Sequence, residues 1–380
     1  MKVICIIDSI DLYGKERANI EVARVLKKHG YDVTVIINAR ALPSVREELY
    51  DFDTIDVTFP RNIEGKHRIW HYIVAFYKAN REFRKILQRL NPHYVLLPTE
   101  IAIAYLYPSF RNSDAKIVFR CGDSPLVFRK KGVTATIYGW LWKNILIKRV
   151  DKLVCNANFI QNQIKDSGRT YNPEDALIYN YPPERISMDD GIEYKQTVGA
   201  LRVGFMGRIV YDKGVSELVE AILECNKKGY KTIAYIGGNP NVDPKYTSRI
   251  KQILKDNPQY ASCIQFVGNV KNIDAFYDNV DVMAIPSIYP EPMANVLTEA
   301  KMHHCLSVIY NLGGMPEIVE HKKTGFICDE VTVKNLTESF IYYNENKEEI
   351  YKQGEEAFKS IANLRLDYDS FVNHWLEVFK

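Results

Sequence analysis

Between Tyr171 and Gly199 regular patterning gives way to Asn, Pro, Asp and Gly, and on each side of that break strand and helix signals alternate. The segment Tyr181-Pro-Pro-Glu184 cannot continue a helix, because proline has no amide donor and clashes with the preceding turn. Before the break, Lys2 to Ile7 reads as a buried strand. A loop from Asp8 to Lys15 leads into a helix from Glu16 to His29, whose apolar face carries Ala18, Val22, Val25 and Leu26 and which Gly30 stops. Further apolar runs lie at Asp32 to Ile37, Tyr94 to Leu97, Ile117 to Phe119 and Leu153 to Cys155. After the break, Arg202 to Met206, Thr232 to Ile236, Ile264 to Val267, Val282 to Ile285 and Leu306 to Ile309 repeat the pattern. Alternating strands and helices require crossover connections and therefore parallel sheets covered on both faces. The expectation is an α/β chain of two doubly wound, Rossmann-like domains, 1–180 and 200–360. In the last segment, Phe371, Trp375, Val378 and Phe379 recur at helical spacing, so 361–380 is expected to cross back onto the first domain.

A length of 380 residues fits this division, since it exceeds the usual size of a single domain, whose core stops growing beyond about 250–300 residues. The seven cysteines are scattered, odd in number and never spaced C-x-x-C, which suits a reducing cytoplasm. Val3 to Ile7 is too short for a signal-peptide core, and no run approaches the roughly 20 apolar residues that cross a bilayer. The expected setting is cytoplasmic, with peripheral attachment to the inner face of the plasma membrane as an extension.

In open parallel sheets ligands bind beyond the carboxyl ends of the strands, where loops meet helix N-termini. The second half concentrates candidates there. Gly207, Arg208 and Lys213 follow the strand Arg202 to Met206, and two cations on such a turn suit a diphosphate. Glu291 is bracketed by Pro290 and Pro292, which fix its backbone. Met293, Ala294, Asn295 and Val296 open the next helix, Glu299 lies within it, and Gly313-Gly314 lets backbone approach a ligand. Taken singly, the two cations fit equally well as solvated surface groups, and the two glutamates fit better as solvated ones.

Together they form ordered patterns: G-R-x-x-x-x-K-G at Gly207 to Gly214, E-x7-E at Glu291 to Glu299, G-G-x-x-E at Gly313 to Glu317, and the T-G-F of Thr324-Gly-Phe-Ile327. Over roughly 200–330 the chain resembles glycosyltransferase family four. That resemblance implies the GT-B fold, two Rossmann-like domains facing across a cleft, and retention of anomeric configuration without a metal or other cofactor. It further implies that Arg208 and Lys213 contact the donor diphosphate, Glu291 the donor sugar and Glu299 the ribose. Met293, Ala294, Asn295 and Val296 would line the donor, with Val270 flanking the base and Gly14, Gly207, Gly313 and Gly314 close to it.

The first half departs from the family pattern. Only Gly14 stands where two glycines are usual, and Arg120-Cys-Gly-Asp-Ser124 replaces a frequent histidine. Asp123 is the candidate acceptor-side catalytic group, with a turn-capping role as the alternative. Ala294 stands where a second glycine is usual. Asp51-Phe-Asp53 matches a metal-binding D-x-D in three letters but reads as a solvated turn, and His303 and His304 read as structural.

Charge is uneven, because residues 61–150 hold 17 Lys plus Arg against 5 Asp plus Glu. Within that region Ile69 to Lys78 and Ile137 to Lys148 interleave aromatics with cations. They read either as amphipathic helices whose aromatics enter the core or as contacts for an anionic membrane surface. Nucleic acid is not an expected partner, as no binding motif accompanies the charge.

The leading expectation is a glycosyltransferase moving sugar from a UDP-sugar, or less favourably a GDP-sugar, to a glycan or lipid-linked acceptor in surface polysaccharide biosynthesis. A sugar-nucleotide epimerase of the same architecture and a non-catalytic nucleotide-binding partner of a transferase are the alternatives. A dinucleotide dehydrogenase is disfavoured, since no G-x-G-x-x-G follows either first strand.

Overall fold

A computed structural model describes residues 1–60, 68–126, 132–170, 172–181 and 199–380. Two compact units divide the chain, Met1–Pro183 with Tyr368–Lys380, and Glu184–Asp367.

In the first unit seven parallel strands run β1 (Lys2–Ile7), β2 (Asp32–Asn38), β3 (Asp53–Val57), β4 (Tyr94–Leu97), β5 (Lys116–Cys121), β6 (Lys152–Cys155) and β7 (Ala176–Leu177) along the chain. Their order across the sheet is β3-β2-β1-β4-β5-β6-β7. Val3 to Ile7 and all of Tyr94–Leu97 are buried, as expected of parallel strands covered on both faces. The strand order reverses between β1 and β4.

Two strands escaped the sequence reading. β3 is an edge strand that buries only Val57 fully, so it never presents an apolar run, and Asp53 begins it rather than sitting in a turn. β7 is two residues long and lies inside the expected connector. Residues 172–181 therefore belong to the first unit, held by Asp175, which accepts from Leu153 N at 2.9 Å and pairs with Arg169 at 2.6 Å. The rest of that connector, 182–198, lies outside the described residues.

The second unit has six parallel strands, β8 (Leu201–Met206), β9 (Thr232–Gly237), β10 (Ile264–Gly268), β11 (Val282–Ile285), β12 (Leu306–Tyr310) and β13 (Gly325–Cys328), in the order β10-β9-β8-β11-β12-β13. Here the order reverses between β8 and β11. Helices Val215–Lys227 and Val333–Glu345 cover one face, burying Leu218, Ile222, Leu336 and Phe340.

The returning helix, Tyr368–Val378, completes the first unit rather than the second. Trp375 and Phe379 are fully buried, the Phe379 ring meets Tyr94 at 5.1 Å and Tyr31 at 6.2 Å, and Tyr94 Oη donates to the Lys380 carbonyl at 2.8 Å. Tyr181, at the outgoing end of the unit, packs on Tyr368 and Phe371 at 5.2 and 5.9 Å. The crossing segment is thus shorter than the expected 361–380, since Ile361 to Asp367 stay with the second unit.

Trp375→Ala should cost about 3–5 kcal/mol of urea stability, the range for deleting a buried aromatic. Native-state hydrogen exchange should show protection lost in helix Gly14–Lys28 and retained in helix Val215–Lys227. Equal loss in both would contradict the assignment of this helix to the first unit.

Candidate active site

Backbone packing builds the site in the second unit. Val210 to Gly214 leave β8 through a short turn that ends on Gly214, with φ 67°. A Cβ there would stand 1.9 Å from the Pro286 carbonyl oxygen at the exit of β11, so only glycine fits. Ile288 N donates to the Asp212 carbonyl at 3.0 Å and joins the same two loops. The β8 and β11 loops are therefore locked edge to edge where the strand order reverses, the position at which such sheets open a crevice.

That lock sets the charged side chains. Lys213 Nζ donates to Glu291 Oε1 at 2.5 Å, with Glu291 largely buried and Lys213 about a quarter exposed. Ser287 Oγ donates to the same oxygen. The pair is a buried carboxylate with two donors and one accessible cation. Ser287 was noted in the sequence only as a strand end, because nothing in the chain's order says which hydroxyl a later carboxylate will meet. Arg208 is exposed on the same β8 turn, three residues before Tyr211.

Gly313 makes a close backbone contact within the unit. Its φ is 72°, and a Cβ would lie 2.3 Å from the Glu291 carbonyl oxygen, while Gly314 N donates to that oxygen at 2.8 Å. The glycine pair supports the Glu291 turn from behind; its close approach is to protein backbone. Met293 and Ala294 are buried between that turn and helix Asn295–Met302, which Asn295 begins. Glu299 is buried on this helix beside Tyr277, whose phenol is pushed up well above its usual range by burial and by the Glu299 carboxylate. Val296 and Val270 are half-buried against the Phe276, Tyr277 and Met283 cluster, with Val270 filling the space over Gly237 at the end of β9. Gly207 N donates to the Gly237 carbonyl at 3.0 Å.

His303 stacks on Tyr277 at 4.5 Å and His304 on Phe358 at 3.9 Å, so both are packing groups. Asp51 lies 3.8 Å from Lys27. Among the described residues no cluster of three metal-ligating side chains occurs.

Gly14 and Asp123 belong to the first unit, also beyond the carboxyl ends of its strands. Gly14 is exposed at the start of helix Gly14–Lys28, whose Glu16 accepts from Tyr13 N at 3.3 Å and from Ser9 Oγ. Asp123 Oδ1 accepts from Ser124 N, the amide of the next residue, at 2.8 Å. Two buried charges there escaped the sequence reading. Arg120 donates to Asn19 Oδ1 at 3.0 Å and to Asn180 Oδ1 at 2.6 Å, tying β5 to the first helix and to the outgoing chain. Burial among neutral amides lowers its pKa to about 10, against the opposing pull of Cys121 and Glu16, and it stays cationic at neutral pH. Asp8 ends β1, where Tyr105 Oη donates to it at 2.7 Å. The available signal was a charged residue at the end of each apolar run.

The comparisons agree with this architecture. Residues 13–180 match the model "Glycosyltransferase Family 4" and residues 195–360 match "Glycosyl transferases group 1". The chain belongs to glycosyltransferase family four. It is 27% identical over 136 residues to the capsular polysaccharide biosynthesis glycosyltransferase CapM of Staphylococcus aureus, covering 36% of this chain and 34% of that one. Across the curated relatives it matches, the chain spans between about a third and two thirds of their length. A Rickettsia africae glycosyltransferase structure superposes with TM-score 0.81 at 18% identity, covering 100% of this chain and 98% of that one. Anabaena HepE, solved with UDP, gives TM-score 0.78 at 18% identity, covering 100% and 99%. The fold is GT-B.

Gly313→Ala and Gly268→Ala form a matched pair, because both glycines have φ near 70° but only Gly313 has backbone in its way. Gly268→Ala should lose about 1–2 kcal/mol, the left-handed penalty alone. Gly313→Ala should lose at least twice that in urea unfolding; equal losses would mean that the two turns are not in contact.

Proposed function

We propose that this family-four protein transfers a sugar from a nucleotide sugar, a UDP-sugar in preference to a GDP-sugar, to a glycan or lipid-linked acceptor in surface polysaccharide assembly. The observation that carries the reading is the Lys213–Glu291 pair, set at the strand-order reversal by the locked β8 and β11 loops. A diphosphate arriving there competes with Glu291 for Lys213, which frees the carboxylate to accept hydrogen bonds from sugar hydroxyls. Anabaena HepE was solved with UDP and with UDP-glucose, and CapM is named for capsular polysaccharide; both support the donor and acceptor classes.

In this reading the reaction retains configuration. The bond from the anomeric carbon to the phosphate oxygen breaks with its electron pair leaving on the diphosphate. The acceptor hydroxyl attacks from the same face, and its proton passes to the departing phosphate. Arg208 and Lys213 offset the developing charge, so the work falls on positioning and electrostatics without a metal ion. Glu299 is assigned to the ribose hydroxyls and Asp123 to the acceptor side.

Thermal unfolding with UDP, GDP, ADP and NAD, each with EDTA or magnesium, tests the reading. At a hundredfold excess over its dissociation constant a ligand adds about 2.7 kcal/mol to the native state. UDP should stabilise selectively in EDTA, and Lys213→Ala should abolish that shift and cut turnover at least about tenfold, or about 1.4 kcal/mol in barrier. Sugar-nucleotide conversion without an acceptor would favour an epimerase. No nucleotide response in folded protein would favour a non-catalytic partner.

A further inference from the structure

Helix Val133–Leu141, with the sequence VTATIYGWL, has no charged residue and no buried one. Apolar helices of water-soluble domains bury a face, and this one does not. Val133, Ile137 and Trp140 are 77%, 63% and 61% exposed. Only Tyr138 and Leu141 lean on the core.

A second apolar face lies on the same unit, at the first turns of helix Arg68–Leu90. That helix packs on helix Glu100–Phe110, as does the turn Trp142–Leu146 that continues directly from helix Val133–Leu141. The first turns of helix Arg68–Leu90 expose Ile69, Trp70, Tyr72, Ile73 and Tyr77. The same helix sinks Ala79, Phe83 and Leu87 into the core farther along. It is therefore well anchored, and its aromatic first turns project from a fixed support. Of the two sequence readings for these segments, core packing fails for most of their aromatics.

The charge around the face selects its partner. Lys78, Arg81, Arg84, Lys85 and Arg89 are exposed along helix Arg68–Leu90, where Glu82 is the one acid, and Lys143 and Lys148 are exposed just beyond helix Val133–Leu141. A second copy of this chain would bring the same sign of charge against it, which opposes self-association through this face. Tryptophan and tyrosine with lysine and arginine is the composition that settles at a lipid headgroup boundary, apolar rings inward and cations toward anionic phosphate. No helix among the described residues is long and apolar enough to cross a membrane, so the contact is with the surface.

We propose that the first unit docks on an anionic lipid bilayer through Trp70, Ile73, Ile137 and Trp140, with the exposed cations of helix Arg68–Leu90 and Lys143 facing the headgroups. The proposal goes beyond the transfer reaction and does not depend on it, because lipid binding is read without donor or acceptor.

The four tryptophans make the test direct. Trp142 and Trp375 are fully buried, while Trp70 and Trp140 are the exposed pair and both lie on this face. The full chain is mixed with phosphatidylcholine vesicles containing about 30% phosphatidylglycerol, or none, and binding is measured by co-sedimentation and by quenching of tryptophan fluorescence with brominated acyl chains. Binding should be at least about tenfold tighter to the anionic vesicles and weaken with salt, and bromine should quench part of the emission. Trp70→Ser with Trp140→Ser should lower vesicle affinity at least about tenfold and remove the quenchable emission, with unchanged circular dichroism and unfolding temperature. Lys78→Glu with Lys143→Glu should remove the preference for anionic lipid. Equal binding by wild type and the tryptophan variant, or bound protein with no quenching, would overturn the proposal. So would a dimer in solution that the tryptophan variant dissociates, which would assign the face to a second copy.

Discussion

Two carbonyl oxygens, those of Pro286 and Glu291, govern the second unit's crevice, because each is approached so closely by a neighbouring turn that only a glycine can stand there. Gly214 meets the first and Gly313 the second. Their left-handed conformations let the β8 and β12 loops close on the β11 loop from its two sides. The Glu291 backbone is thereby held between two supports that involve no charged group. On the proposed function the carboxylate would change partners, from lysine to ligand, without the loop moving. A site whose geometry rested on the Lys213–Glu291 pair would lose its shape whenever that pair opened.

The pair also has an electrostatic consequence. A carboxylate as buried as Glu291 is costly unless it is paired, and Lys213 and Ser287 both donate to one of its oxygens. Lys213 in turn keeps a quarter of its side chain in water. An anion reaching this crevice meets a cation that is neutralised but not enclosed. On the proposed function, the ligand brings both a phosphate for the lysine and hydroxyls for the carboxylate. A free phosphate would offer only the first half of that exchange, leaving Glu291 buried without its cation. On that reading the site discriminates by requiring two chemistries at once.

Much of this was legible in the sequence, for particular physical reasons. β1, β4, β11 and β12 are buried on both faces, so they appear as unbroken apolar runs, and the break in patterning between Tyr171 and Gly199 spans the unit boundary after Pro183. β3 and β7 were not legible, because an edge strand half in water and a two-residue strand carry no such run. In the site, patterns that are local in sequence were readable, including the spacing of Glu291 and Glu299. Contacts that depend on which loops the sheet order brings together were not. Gly313 is the clearest case, since its need for φ 72° was visible as a glycine while its partner, the Glu291 carbonyl, lies in another loop. Arg120 and Asp8 were missed because a charged residue closing an apolar run reads as the start of solvent.

Helix Val133–Leu141 marks where periodicity stops being informative. A helical face rich in tryptophan, tyrosine and isoleucine has the same spacing whether it faces protein or lipid. The two cases separate only once the rest of the core is filled. Here Trp142, one residue past the helix, is fully buried against Phe119, while Trp140 is exposed, so the chain turns from solvent-facing to protein-facing within about half a helical turn. Leu146 and Ile147, also buried, join Trp142 in closing the core around β5 and β6. Among the described residues nothing in the packing of this unit calls for the exposed aromatic side chains of the helix itself. Apolar surface left outside the core costs solubility and returns no stability, and its place beside an excess of cations fits the proposed docking on a lipid surface.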